Sequence, residues 1–102
     1  MDDIADQIDQ AADYIQENGW CQGKIQDDDG RVCLMGAFGS VGVSYDAEDA
    51  VRGQLRLEGR MSSRRRTGDL LWWNDHRCAS KRSAVTLLRR TAKRLREEAT
   101  ND

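Results

Sequence analysis

The sequence predicts an all-α fold, a compact bundle of about four helices. Two stretches with apolar residues at helical spacing bracket the chain, one near each end. None of its 102 residues is proline, the residue that most strongly interrupts a helix. One-third of the residues are charged, and an apolar share of 38% allows a modest core in a single domain spanning 1–102. Three tryptophans argue against disorder, because large aromatics seldom persist in a chain that cannot bury them.

Ile4, Ile8, Ala11, Ala12 and Ile15 predict a first helix over 3–18, with Gly19 as a left-handed C-terminal cap. The other face carries Asp6, Asp9, Asp13 and Glu17, where like charges cost a helix a few tenths of a kcal/mol per pair. The plainest reading is a solvated face. The stretch "WCQGKIQDDDGRVC" follows. Its Asp29-Gly30 turn predicts a short β-hairpin or an ordered loop over 24–33. Asp27, Asp28 and Asp29 invite a calcium reading, but Ile25 and Gly36 would occupy loop positions that need carboxylates. A solvated acidic turn is expected instead.

Cys33, Leu34, Ala37, Phe38 and Val41 begin a second helix. Gly36, Gly39 and Gly42 recur every third residue, match no Gly-rich phosphate fingerprint, and are read as room for another helix to approach. Asp46 is the expected N-cap of a third helix, with Asp49 three residues on, Ala47, Ala50, Val51 and Leu55 as its apolar side, and an end near Gly59. Arg64, Arg65 and Arg66 lie in an exposed basic loop, after which Asp69 caps a short turn holding Leu70, Leu71, Trp72 and Trp73. Ser80 introduces the last helix. Its stripe is Ala84, Val85, Leu88, Thr91, Ala92 and Leu95, opposite Arg82, Arg89, Arg90, Lys93 and Arg96. Glu97 and Glu98 sit where the helix dipole disfavours them, so fraying is expected there.

Charge is polarised along the chain. Residues 1–50 hold twelve acidic and two basic residues, net −10; residues 51–102 hold fourteen basic and six acidic, net +8. Such asymmetry points to an interaction surface. Nothing in the chain reaches the roughly 20 apolar residues of a membrane span, and "MDDIADQIDQ" lacks the features of a signal peptide. With three cysteines that cannot all pair, a reducing cytoplasm is the expected location.

Gly19-Trp20-Cys21-Gln22-Gly23, then Cys33-Leu34-Met35-Gly36-Ala37, then Trp73-Asn74-Asp75 form an ordered set of motifs. Over roughly 8–95 the chain resembles a family of small proteins of actinobacteria and their phages, known only as a domain of unknown function. The resemblance implies a small all-helical domain of bacterial or phage origin, acting in the bacterial host cytoplasm if phage-encoded. It implies no activity, and His76 and Cys78 fall outside its pattern.

Candidate chemistry narrows quickly. Cys21, Cys33, Cys78 and His76 could supply a zinc site, but structural sites bring ligands in close pairs, and only His76-x-Cys78 is close here. Cys33 near a helix N-terminus could be a nucleophile of lowered pKa with His76 as base and Asn74 or Asp75 orienting it. With one histidine in the chain, those roles fill by default. No catalytic residue, cofactor or metal ligand is therefore assigned.

The leading reading is a protein-binding module, a phage factor acting on a host protein or a self-associating domain. Asp6, Asp9, Asp13 and Glu17 oppose the basic group Arg64, Arg65, Arg66, Arg82, Arg89, Arg90, Lys93 and Arg96 as its charged surfaces. These two faces can meet within the fold, between copies, or on a partner. The alternative is nucleic-acid binding through the basic half, since phosphate contact needs only clustered positive charge.

Trp20, Gln22, Trp72, Trp73, Asn74 and Asp75 are read as an internal elbow. Trp20 and at least one of Trp72 and Trp73 should meet Ile15, Leu34, Phe38 and Leu88. Adjacent residues in a helix point about 100° apart, which leaves the other tryptophan partly exposed to a partner. Asn74 and Asp75 should hydrogen-bond nearby backbone, and Gln22 should do the same from the facing loop.

Overall fold

The computed structural model describes residues 3–61 and 68–100. Among the described residues five helices follow one another, in keeping with the expected bundle of about four: α1 (Ile4–Asn18), α2 (Leu34–Val41), α3 (Tyr45–Leu57), α4 (Asp69–His76) and α5 (Lys81–Thr100). The additional one is α4, where a short turn was expected. The fold is an all-α bundle with a radius of gyration of 12.8 Å, close to the ~13 Å of a compact chain of this length.

α1 and α5 form the frame. α1 buries Ala5, Ile8, Ala11, Ala12 and Ile15; α5 buries Ala84, Val85, Leu87, Leu88, Thr91 and Ala92. Each set repeats every three or four residues, so each helix has one apolar stripe and the two stripes share a single core. Asp3 starts α1 by accepting the Asp6 N–H at 2.7 Å. Ser80 starts α5 by accepting the Ser83 N–H at 3.2 Å. α5 continues through Glu97 and Glu98 to Thr100, with Lys93 answering Glu97 and Arg94 answering Glu98 one turn back.

Several local expectations are corrected. Gly19 ends α1 with φ 94 and ψ 167, a positive φ but an extended ψ, so the chain leaves straight rather than curling left-handed. The N-cap of α3 is Ser44, whose hydroxyl accepts the Ala47 N–H; Asp46 lies in the first turn, where its charge suits the dipole. The N-cap of α4 is Gly68, and Asp69 turns its carboxylate to Arg52 instead.

Residues 24–33 form an ordered loop with isolated bridges, without a paired strand among the described residues. Val32 bridges Trp20 on one side and Gln26 on the other. The acidic turn is partly structural. Asp27 accepts the backbone N–H groups of Asp29 and Arg31 and the Arg31 Nε–H at 2.6 Å, while Asp28 and Asp29 remain exposed.

Gly36 makes room for this loop rather than for a helix. A Cβ there would collide with the Ile25 backbone carbonyl, and Cys33 N–H donates to that same carbonyl at 3.1 Å. Gly39 is exposed and faces open space.

Candidate functional site

Three of the four acidic residues on the outer face of α1 are paired with two arginines of α5. Arg96 holds Asp6 at 2.8 Å and Asp9 at 2.6 Å; Arg89 holds Asp9 at 3.0 Å and also Asp13. The acidic residues ascend α1 as the arginines descend α5, so the two helices run antiparallel. This corrects the solvated-face reading for Asp6, Asp9 and Asp13, because repulsion along α1 is answered across the seam. Burial pushes the Asp9 carboxyl up, but hydrogen bonds from Arg89 and Arg96 outweigh it and leave the group below the usual range.

The remaining candidates are scattered. Arg90 lies 3.8 Å from Glu58, Lys93 lies 3.9 Å from Glu97, and Glu17 and Arg82 are exposed. Arg64, Arg65 and Arg66 lie outside the described residues.

The elbow motifs do come together, and Asn74 is the hub. Its Oδ1 accepts the Trp20 Nε1–H at 2.8 Å and the Leu34 backbone N–H at 3.1 Å. Its Nδ2 donates to the Cys21 carbonyl at 3.1 Å and to Asp75 Oδ1 at 3.0 Å. Asp75 Oδ1 also accepts the Gly23 N–H at 3.0 Å. Gln22 donates to the carbonyls of Asn74 and Cys78 at 3.1 and 3.0 Å.

The expectation of bonds to nearby backbone is therefore corrected. Most of these amides join segments more than 35 positions apart in sequence. One consequence concerns α2. Leu34 N–H is among the donors a helix start leaves unpaired, and Asn74 of another helix satisfies it while Cys33 Sγ accepts the Gly36 N–H.

Adjacent tryptophans take opposite roles. Trp73 is 1% exposed within the core, beneath the Arg60 guanidinium at 4.8 Å from its ring centre. Trp72 is 50% exposed. The His76 ring stacks on it, centroids 5.0 Å apart and planes 8° from parallel, and the Arg77 guanidinium lies 5.4 Å from its centre. Trp20 is half-buried against the core.

His76 faces outward with Trp72, whereas the thiols of Cys21, Cys33 and Cys78 lie inside. Burial pushes all three thiols above their ordinary value. For Cys33 this reverses the activation expected of a helix N-terminus, since desolvation of a thiolate outweighs the hydrogen bond from Gly36. No three His, Cys, Asp or Glu side chains cluster as metal ligands among the described residues.

Sequence reasoning missed Arg52. Its side chain is buried, holding Asp69 at 2.7 Å and Asp49 at 2.9 Å. Its place between Val51 and Leu55 on the apolar side of α3 was the available signal, since an arginine there must find carboxylates or leave the core. Arg77 was missed too, and only the exposure of Trp72 gives it meaning.

No helix among the described residues is long and apolar enough to cross a membrane. Among curated proteins and solved structures, none matches the chain. Residues 1–94 match the model of a family of unknown function, DUF6197, and the chain belongs to that family.

Proposed function

We propose that the protein is a small, non-enzymatic protein-binding module that docks through the outward face of α4. One observation carries this reading. Of two adjacent tryptophans, Trp73 anchors the core while Trp72 stays half-exposed beside a stacked histidine and an arginine. Tryptophan and arginine dominate the energetically important positions of protein interfaces. The Asn74 hub fixes α4 against two other segments, so Trp72 is presented on a rigid support and little ordering cost is left for binding.

Three unpaired cysteines fit a reducing cytoplasm. The resemblance to actinobacterial and phage proteins makes a bacterial host protein the target class to examine first. A nucleic-acid role draws on one feature, an exposed aromatic beside an arginine, which can serve as a base-stacking platform. Against it, Arg89 and Arg96, which would track phosphates, are already neutralised by α1.

An aromatic photo-crosslinking amino acid at position 72, which keeps a ring where the indole stands, compared with one at position 93, tests the reading in cells that make the protein. Crosslinks to a discrete protein from position 72 alone are expected. Equal crosslinking from both positions, or crosslinks to nucleic acid, would overturn it. Trp72→Ala should cost well under the roughly 3–5 kcal/mol of a fully buried tryptophan, so loss of binding by a variant that still unfolds cooperatively would be specific.

A further inference from the structure

We infer that the segment received by this face is acidic and carries one large apolar side chain. The inference rests on the docking role of α4 and adds the chemistry of the partner.

The argument begins with charge left over after internal pairing. α4 has two carboxylates of its own, and both are turned away from the outward face. Asp69 is held by Arg52, and Asp75 by the Gly23 N–H and Asn74. The outward face therefore presents Trp72, His76 and Arg77, with no carboxylate partner for Arg77 among the described residues. The next basic side chains along the chain, Lys81 and Arg82, are exposed and equally unpaired among the described residues.

Elsewhere the cations of α5 are answered: Arg89 and Arg96 by α1, Arg94 by Glu98, Lys93 by Glu97. A chain with net charge −2 thus keeps a surplus of positive charge at the α4–α5 junction, Arg77, Lys81 and Arg82 against Asp75, whose partners are uncharged, around its half-exposed tryptophan. Charge of this sign steers an anionic partner and repels a cationic one. The indole supplies apolar contact of the kind a leucine, phenylalanine or tryptophan fills.

A nucleic-acid strand fits the same sign of charge less well. A stacking base would have to compete with His76, which lies parallel to the Trp72 indole, and with the Arg77 guanidinium 5.4 Å from its centre. An apolar side chain can instead pack on the exposed half of the indole without stacking. The partner is accordingly a protein segment rather than a phosphate chain.

Selection from a library of short random displayed peptides, with wild-type protein as bait and Trp72→Ala as counter-bait, reads the preference directly. Enrichment of peptides pairing Asp or Glu with a large apolar residue is expected. Binding of a selected peptide should fall at least about tenfold, roughly 1.4 kcal/mol, on Trp72→Ala or Arg77→Glu. Arg77→Glu should also shift selection toward lysine and arginine. Enrichment of basic or uncharged peptides by wild type would overturn the inference. Tighter binding of a single-stranded oligonucleotide than of any selected peptide would do the same. If crosslinks from position 72 persist while selected peptides are not acidic, only the partner chemistry fails; if the crosslinks fail, the docking role fails with it.

Discussion

Along the α1–α5 seam, Asp6, Asp9 and Asp13 meet Arg89 and Arg96 through side chains that stay a quarter to three-fifths exposed. At the elbow, one uncharged amide, Asn74, is wholly buried and joins the start of α2, the loop after α1 and the body of α4. Exposed ion pairs of the seam's kind contribute roughly 0–1 kcal/mol each, because water and salt screen them and both side chains lose freedom. A buried group deprived of its partner costs roughly 1–3 kcal/mol, because nothing replaces the lost bond. Of the two regions, the seam carries more of the formal charge and the elbow the bonds that are costlier to lose. A count of ion pairs would rank them in the wrong order.

The largest break in this comparison is Trp73→Ala. The side chain is 1% exposed inside a small core, and removing it should cost roughly 3–5 kcal/mol. Urea unfolding followed by far-ultraviolet circular dichroism would measure it. A loss below about 1 kcal/mol, ordinary for a surface position, would show that the indole is not a core anchor.

How much of this was legible beforehand differs between the same two regions. Helical periodicity located α1, α2, α3 and α5, because an apolar stripe is a local property of sequence. The pairing of Asp9 with Arg89 and Arg96 joins residues 80 and 87 positions apart, and no local pattern encodes it. Both signs of charge were visible, but their juxtaposition depends on the antiparallel packing of α1 on α5. The elbow residues stood out by type, as Trp, Gln, Asn and Asp in short motifs. Their bonding did not, because an Asn beside a turn usually serves its own backbone, whereas Asn74 serves distant segments. The caps expected at Asp46 and Asp69 fall instead at Ser44 and Gly68. Both residues favour caps, and tertiary contact with Arg52 claimed Asp69.

The second break is Asn74→Ala. It leaves the Leu34 N–H and the Cys21 carbonyl without their side-chain partner and frees the Trp20 indole N–H. A loss of roughly 3 kcal/mol is expected from these groups together, less whatever water recovers at half-buried Trp20. Amide hydrogen exchange adds a readout that a uniform loss of stability would not produce. Protection at the start of α2 should fall further than protection in the middle of α5. Equal loss at both places would mean that Asn74 does not act as a remote cap of α2.

The smallest break sharpens the other side of the comparison. Asp9 lies at the centre of the seam, touching both Arg89 and Arg96, and its carboxyl titrates below the usual aspartate value of about 4. A lowered folded value means that the unfolded chain takes up the proton first. The contribution is therefore complete above the unfolded value and is lost as pH falls through the folded one. Asp9→Asn should cost no more than about 1 kcal/mol near neutral pH, in keeping with partly exposed pairs. The difference from wild type should begin to shrink below about pH 4, where the unfolded chain's carboxyl takes up its proton, and disappear once the folded carboxyl does so too. Raising salt toward 1 M, where the Debye length drops to about 3 Å, should shrink it as well. The penalty of Asn74→Ala should survive both treatments, since no charge is removed. An Asp9→Asn penalty that persists at high salt and low pH would place the seam among buried interactions and erase the distinction between the two regions.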